Sequence, residues 1–252
     1  MSKKSKAIFN WSSGKDSAMA LYKILQQDQY DVSCLLTSVN KTYNRVSMHG
    51  VHEALLELQA QNIGLPLKKI LLPEMPSMAV YETIMAETMA SLKEEGNEVS
   101  VFGDIFLKDL RAYREEKLKA SGFKAFFPLW DIPTDTLINE FLSLGFRAIV
   151  VCVNEKYLDK SFAGRVIDKG FIADLPDNVD PCGENGEFHT FVFDGPIFKT
   201  PVSFTKGEIV YKKYKPAKDD NDNCSQKDQE TKPFEHGFWF CDLLPEEDKK
   251  GS

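Results

Sequence analysis

The sequence predicts an α/β protein, a doubly wound and mainly parallel sheet followed by a smaller C-terminal α+β domain. Short β-branched or aromatic runs alternate with stretches of helical period over residues 1–154. Strand, helix, strand repeated in this way requires a parallel sheet with helices on both faces. The 252 residues allow between one and two domains at roughly 150 residues each. Beyond residue 155 the alternation gives way to turn-rich sequence and then to isolated strand-like runs.

In chain order, strands are expected at AIFNW (7–11), DVSCLLTSV (31–39), KKILL (68–72), EVSVFGDI (98–105), AFFPLW (125–130) and RAIVVCV (147–153). The helices between them show apolar stripes: Val51, Ala54, Leu55 and Leu58 stand at i, i+3, i+4 and i+7, and Leu137, Ile138, Phe141 and Leu142 form another. Open sheets of this type bind ligands beyond the carboxyl ends of their strands. The turn-rich stretch PDNVDPCGENGE (176–187) leads into FHTFVF (188–193) and EIVYKKY (208–214), read as an antiparallel pair. From Lys218 to Lys232 no residue is aliphatic or aromatic, and so polar a segment cannot offset its ordering entropy by burial. GFWFCDLLP (237–245) is strongly apolar and is expected to dock back on the folded body. The expected division is an α/β domain over 1–154, a smaller α+β domain over 155–215, a polar linker over 216–233, and a returning segment with its tail over 234–252.

Composition removes several classes. Hydrophobic residues make up 42% and charged residues 27% of the chain, the balance of a globular protein with a real core. The longest apolar runs, such as AIVVCV (148–153), fall short of the roughly 18 residues a membrane helix needs. The net charge is 31 − 38 = −7, which argues against a duplex nucleic-acid binder held by phosphate neutralisation. The N-terminus has lysines but no apolar stretch of signal-peptide length, so a cytoplasmic location is expected. The five cysteines (Cys34, Cys152, Cys182, Cys224, Cys241) contain no C-x-x-C pair, which disfavours a zinc ribbon, a disulfide scaffold and a thioredoxin-like site.

The strongest chemical signal is WSSGKDS at 11–17, between the first strand and a helix. Ser12, Ser13, Gly14, Lys15, Asp16 and Ser17 offer hydroxyl donors, a glycine, a charge and a helix N-terminus, the ingredients of an anion site. The loop is not a Walker A motif, because Phe9 stands where that motif needs its first glycine and Asp16 follows the lysine. The competing reading is a strand-to-helix turn with Ser or Asp caps. Gly103 and Asp104 follow the fourth strand, where a carboxylate suits Mg²⁺ bound to phosphate oxygens, with Asp16 as a second ligand; capping of the next helix is the alternative. Arg111 and Glu115 stand four apart on a helix and read first as a solvated ion pair. Gly183, Glu184, Gly186, Glu187 and His189 form a second cluster, two carboxylates and an imidazole able to orient an amine and accept its proton. Asn185-Gly186 could equally be a hairpin turn with its charges facing water. Cys182 lacks a paired cysteine and reads as a small buried residue. His49 and His52 do not make a zinc motif, and a helix-start histidine near the ligand is the simpler reading. Phe238, Trp239 and Phe240 read as docking hydrophobes among acidic neighbours, not as a base-stacking platform.

S-S-G-K-D-S resembles the S-G-G-x-D-S loop of the PP-loop ATP pyrophosphatases. FGDI (102–105), L-R-x-Y-R-E-E (110–116), FPLW (127–130), F-x-G-R (162–165) and G-E-N-G-E-F-H-T (183–190) extend the likeness to the diphthine–ammonia ligase branch of that superfamily, over about residues 7–215. One departure is Ser13, where the family loop has glycine. The resemblance implies a three-layer α/β/α adenine nucleotide alpha hydrolase-like sheet, ATP and Mg²⁺, and adenylation of a carboxylate with release of AMP and pyrophosphate. Ammonia from solution or from a partner would then displace AMP to give an amide. It implies that the acid is diphthine on elongation factor 2, and that Asp104, Arg111, Glu184, Glu187 and His189 do the chemistry, with Arg111 and Arg114 near the phosphates or the substrate acid. Two other classes stay open: a PP-loop sulfurtransferase acting on RNA, and a non-catalytic nucleotide-binding regulator.

Overall fold

The computed structural model describes residues 4–46, 50–213 and 237–246. His49, the polar linker at 216–233, Tyr214 at the end of an expected strand and the tail after Glu246 lie outside the described residues.

The first sheet is built on β1 (Lys6–Asn10), flanked in parallel by β2 (Asp31–Asn40) on one side and β5 (Asn97–Val101) on the other. Short β3 (Arg45–Val46) pairs antiparallel with the end of β2, while β4 (Leu67–Leu72) and β6 (Lys124–Phe126) extend the sheet in parallel from β2 and β5. The chain leaves β1 toward β2 and later returns to the other side of β1 through β5. The loops after β1 and β5 therefore face each other at the switch point of the strand order, where an open α/β sheet leaves its ligand crevice.

Alternation along β1 sorts the helices onto two faces. Ala7 and Phe9 point to one core with α1 (Lys15–Gln27), α2 (Glu53–Ile63) and α5 (Thr134–Ser143), through residues such as Leu21, Ile24, Leu55, Leu56 and Phe141. Ile8 points the other way, with Leu36 and Ile70, onto Met89 and Leu92 of α3 (Met78–Glu94) and Leu118 of α4 (Lys108–Ala120). This is the period-two burial of a strand covered on both faces. Helix ends follow local chemistry: the Ser77 hydroxyl accepts from Val80 N–H at 3.3 Å to open α3, and Gly64, at φ 83°, closes α2.

The second sheet is antiparallel, with β7 (Arg147–Asn154), β8 (Phe188–Asp194), β9 (Phe204–Lys213) and β10 (Gly237–Pro245) in the order β8-β7-β10-β9. Two expectations change here. RAIVVCV is not the last strand of the parallel sheet but an interior strand of this one. Residues 148–153 of β7 are all buried, and a continuous apolar run reads the same in either kind of sheet. FHTFVF and EIVYKKY are not paired with each other, because β7 and β10 lie between them. EVSVFGDI also ends early as a strand, at Val101, which frees residues 102–107 to form a loop, and AFFPLW turns after Phe126. The short helix α6 (Lys169–Ala173) precedes the turn-rich stretch, with the Asp168 carboxylate accepting from Phe171 N–H at 2.7 Å.

The apolar segment at 237–245 docks as β10, bonded to β7 on one side and β9 on the other. Its Cys241 and Leu243 join the same core as Phe9, Val150 and Phe191, so one apolar body runs from the parallel sheet to the antiparallel one. Leu243 is 2% exposed. Leu243→Ala is expected to destabilise the protein by about 2–4 kcal/mol, measured by urea denaturation; a change below about 0.5 kcal/mol would show that β10 is not part of the core.

Candidate active site

The loop after β1 is held by both sheets. Trp11 N–H donates to Leu36 O (2.9 Å) and Thr37 Oγ1 donates to Trp11 O (2.7 Å), which carries the β1–β2 pairing up to the loop. Ser12 Oγ donates to Ser17 Oγ (3.1 Å) and Ser17 Oγ to Gly14 O (2.8 Å), so the two hydroxyls brace the turn from inside. Ser13 sits at φ 71° and is 0% exposed, a conformation costly for a residue with a Cβ. Its carbonyl accepts from Val192 N–H of β8 (2.9 Å) and from Gln59 Nε2 of α2 (3.1 Å). Gln59 in turn accepts from Trp11 Nε1 (2.9 Å) and donates to Val192 O (2.6 Å), and Lys15 N–H donates to Thr190 Oγ1 (3.0 Å).

Neither capping alternative describes this structure. Gly14, which has no side chain to cap with, is the N-cap of α1, while Leu107 occupies the N-cap of α4 and Asp104 does not. The N-cap residue of α1 thus supplies no side-chain cap, the first N–H of the helix is taken by Thr190 Oγ1 from β8, and Ser13 Oγ is buried without a hydrogen-bond partner. A buried hydroxyl in that state is a donor in want of an acceptor. Gly103 meets the loop from the β5 side: a Cβ there would stand 3.1 Å from the backbone of Asp16 and Ser17. Its role in the structure is close packing of one loop against the other.

Five charged groups converge around these loops. Lys15, 2% exposed, turns inward and places Nζ 2.6 and 2.7 Å from the two oxygens of Asp16. Burial opposes its charge, but Asp16, Cys182 and Glu184 outweigh that and hold its pKa above the usual lysine value. Asp104 faces Arg114: Nη2 donates to Oδ1 at 3.3 Å, and Nε lies 2.8 Å from Oδ2 but off the hydrogen-bond direction, a contact between charges only. Burial raises the Asp104 pKa despite this pairing. From the second sheet, Glu184 Oε1 accepts from Ile105 N–H at 3.1 Å. Burial, then the charge of Asp16, pushes the Glu184 pKa up to about 7, against the opposing pull of the Ile105 N–H and Lys15.

Other expected residues stand apart from this cluster. Glu187 is 0% exposed, which overturns the hairpin reading with its charges in water. Its oxygens accept from Asp180 N–H (3.0 Å), Asn185 Nδ2 (3.1 Å) and Asn185 N–H (2.9 Å), so it fastens the loop that carries Glu184. His189 on β8 is held neutral, its pKa pulled down to about 4 by burial and then by the Lys15 charge. Arg111 keeps the expected helix pair, with Nε donating to Glu115 Oε1 at 2.7 Å, and its guanidinium lies 4.4 Å from the Trp130 ring centre and 5.1 Å from that of Phe127. His52 is the N-cap of α2, in a bridge with Arg45. The Cys182 thiol donates to Thr134 O at 3.3 Å, and burial pushes its pKa up to about 12, an inert thiol.

Gln59, Thr190 and Asp180 were not singled out from the sequence. Gln59 had one available signal, a long polar residue beside the apolar stripe of α2, whereas Thr190 is an ordinary strand residue by type. Among the described residues no three His, Cys, Asp or Glu side chains form a metal cluster. The two carboxylates of Asp16, in the first turn of α1, and Asp104, on the loop after β5, match the one or two that a phosphate-bound Mg²⁺ takes from protein. No helix among the described residues is long and apolar enough to cross a membrane.

Fold and site define a doubly wound α/β protein with an anion-ready loop at its switch point and an acidic loop from a second sheet closing over it. Residues 5–125 match the family model described as the diphthamide synthase N-terminal domain, and residues 133–219 match that of the diphthamide synthase C-terminal domain. The chain belongs to the diphthamide synthase family, both of whose domains it carries. It is similar to proteins named diphthine–ammonia ligase: 34% identical over 101 residues to that of Schizosaccharomyces pombe (38% of this chain, 16% of the relative). The figures are 30% over 124 residues for Bos taurus (47% and 46%) and 26% over 185 residues for Homo sapiens (67% of each). The matched part thus spans about a sixth of the yeast relative and just under half of the bovine one.

Ser13→Gly relieves both the left-handed backbone and the buried unpartnered hydroxyl. It is expected to raise the stability of the ligand-free protein by about 1–2 kcal/mol, read from its denaturation midpoint. A destabilised variant would show that the hydroxyl already has a role in holding the loop.

Proposed function

We propose that this chain is an ATP-dependent amide-forming ligase of the diphthine–ammonia ligase kind. The observation that supports it best is the meeting of the loop at 12–17 with Glu184 in one site, through the shared field of Lys15, Asp16 and Asp104. A carboxylate substrate attacks the α-phosphorus of ATP, pyrophosphate leaves into the loop, and ammonia displaces AMP from the acyl-adenylate. In this reading the loop of Ser12, Ser13, Gly14, Lys15 and Ser17 receives the leaving pyrophosphate, with the unpartnered Ser13 Oγ as its oriented donor, Lys15 as its charge, and Ser12 and Ser17 bracing the turn. Asp16 and Asp104 would hold Mg²⁺, which neutralises phosphate charge when bound. Gly103 keeps the second loop close enough for this.

Glu184 is the residue that takes the proton of the incoming amine, its pKa near neutrality suiting a base at neutral pH. His189 stays neutral on β8. In this reading Arg111, its guanidinium against two aromatic rings, pairs with the substrate acid. The substrate in this reading is diphthine on elongation factor 2, the second substrate is ammonia, and the setting is the cytoplasm. Sulfur transfer is disfavoured, because the Cys182 thiol would need to ionise and is held near pKa 12.

Incubation with ATP, Mg²⁺, ammonium and diphthine-bearing elongation factor 2 is expected to yield AMP, pyrophosphate and amide; ADP and phosphate as products would overturn the reading. Asp104→Asn should lower pyrophosphate release by at least about 100-fold, and Ser13→Gly should weaken ATP binding about tenfold by removing one donor.

A further inference from the structure

The acidic loop is built as two interlocked brackets. Asp180 Oδ1 accepts from the backbone N–H of Cys182 (2.8 Å) and of Glu184 (3.3 Å), and Oδ2 accepts from Thr134 Oγ1 (2.7 Å) at the start of α5. Asp180's own N–H is held by Glu187 Oε1 (3.0 Å), and Glu187 Oε2 holds Asn185 N–H (2.9 Å). Glu184 hangs between them, its backbone fixed by Asp180 and its carboxylate on Ile105 N–H. We propose that Asp180 is a positioning residue for amide formation, which together with Glu187 fixes where the Glu184 carboxylate stands against the nucleotide loops. The proposal rests on the reading of Glu184 as the residue that serves the amine.

The partners of the two acids differ in a way that chemistry can test. On Oδ2, Asp180 faces a hydroxyl, which can reverse and accept. Asn at 180 therefore keeps its oxygen on the two N–H groups and donates to Thr134, and every bond survives without the charge. Glu187 faces N–H donors on both oxygens, so Gln at 187 sets its NH₂ against a donor. Asp180→Asn should be silent and Glu187→Gln should not.

The measurement is amide hydrogen exchange of Ile105 in the full chain, read against Ile8 of β1 as the reporter of global opening. Asp180→Ala and Glu187→Gln are expected to speed Ile105 exchange roughly tenfold or more, with Ile8 little changed, and Asp180→Asn to leave both within about threefold. In parallel, amide formation from elongation factor 2 should show kcat falling in Asp180→Ala and Glu187→Gln with the KM for ATP unchanged, and near-normal kcat in Asp180→Asn. Should Asp180→Ala not fold, the contrast between Asp180→Asn and Glu187→Gln decides alone. Loss of kcat in Asp180→Asn with Ile105 exchange unchanged would show that the Asp180 charge acts directly, and would overturn the proposal. Unchanged Ile105 exchange in Asp180→Ala and Glu187→Gln would overturn it too. Exchange in the expected order with amide formation unmoved, in these variants and in Glu184→Gln, would overturn Glu184 as the amine's partner while leaving the bracket as the device that fixes it.

Discussion

The site depends on the backbone carbonyl of Ser13. A buried carbonyl must find a donor or cost as much as a lost hydrogen bond, and this one lies in a left-handed turn that the loop's own backbone does not satisfy. Its donors come from β8 and from Gln59 of α2. The strained turn that opens the start of α1 therefore persists only while the second sheet is docked. The continuity of the core between the two sheets is the apolar counterpart of that bond. The same docking carries Glu184 across to Ile105, so the loop at 12–17 and the acidic loop are parts of one device and not two sites on two bodies.

Charge follows from this closure. Asp16, Asp104 and Glu184 share the site with Lys15 and Arg114, three acids against two bases. Removal from water raises the pKa of Asp104 and of Glu184, the direction burial gives any carboxylate. An added cation would relieve both, and an anion arriving with it would meet Ser13 Oγ and the α1 N-terminus. These features support the reading in which the site takes a metal-bound triphosphate.

Much of this was legible in the sequence, for physical reasons that can be named. The loop at 12–17 shows because small and hydroxylic residues with a lysine gather between a strand and a helix, and β1 and β2 show because strands buried on both faces are rich in apolar residues. Strand β7 could not be assigned to its sheet, since burial on both faces erases the alternation that tells one sheet type from another. The cluster Glu184, Glu187 and His189 was visible as polar residues among glycines. Which acid faces the loops and which braces its own turn depends on hydrogen bonds from Asp180, Asn185 and Ile105 that no spacing rule encodes. Gln59 and Thr190 were hidden more deeply, because each serves a backbone group distant in sequence.

The central claim is that the loop and the second sheet open only together. Native-state hydrogen exchange across a urea series measures it at two amides, Lys15, which donates to Thr190, and Val192, which donates to Ser13. The account predicts one common opening free energy for both, close to that of Ile8 in β1 and falling with urea at the slope of global unfolding. A lower, nearly urea-independent opening at Lys15, with Val192 still protected, would show that the loop frays on its own and that the second sheet does not hold it.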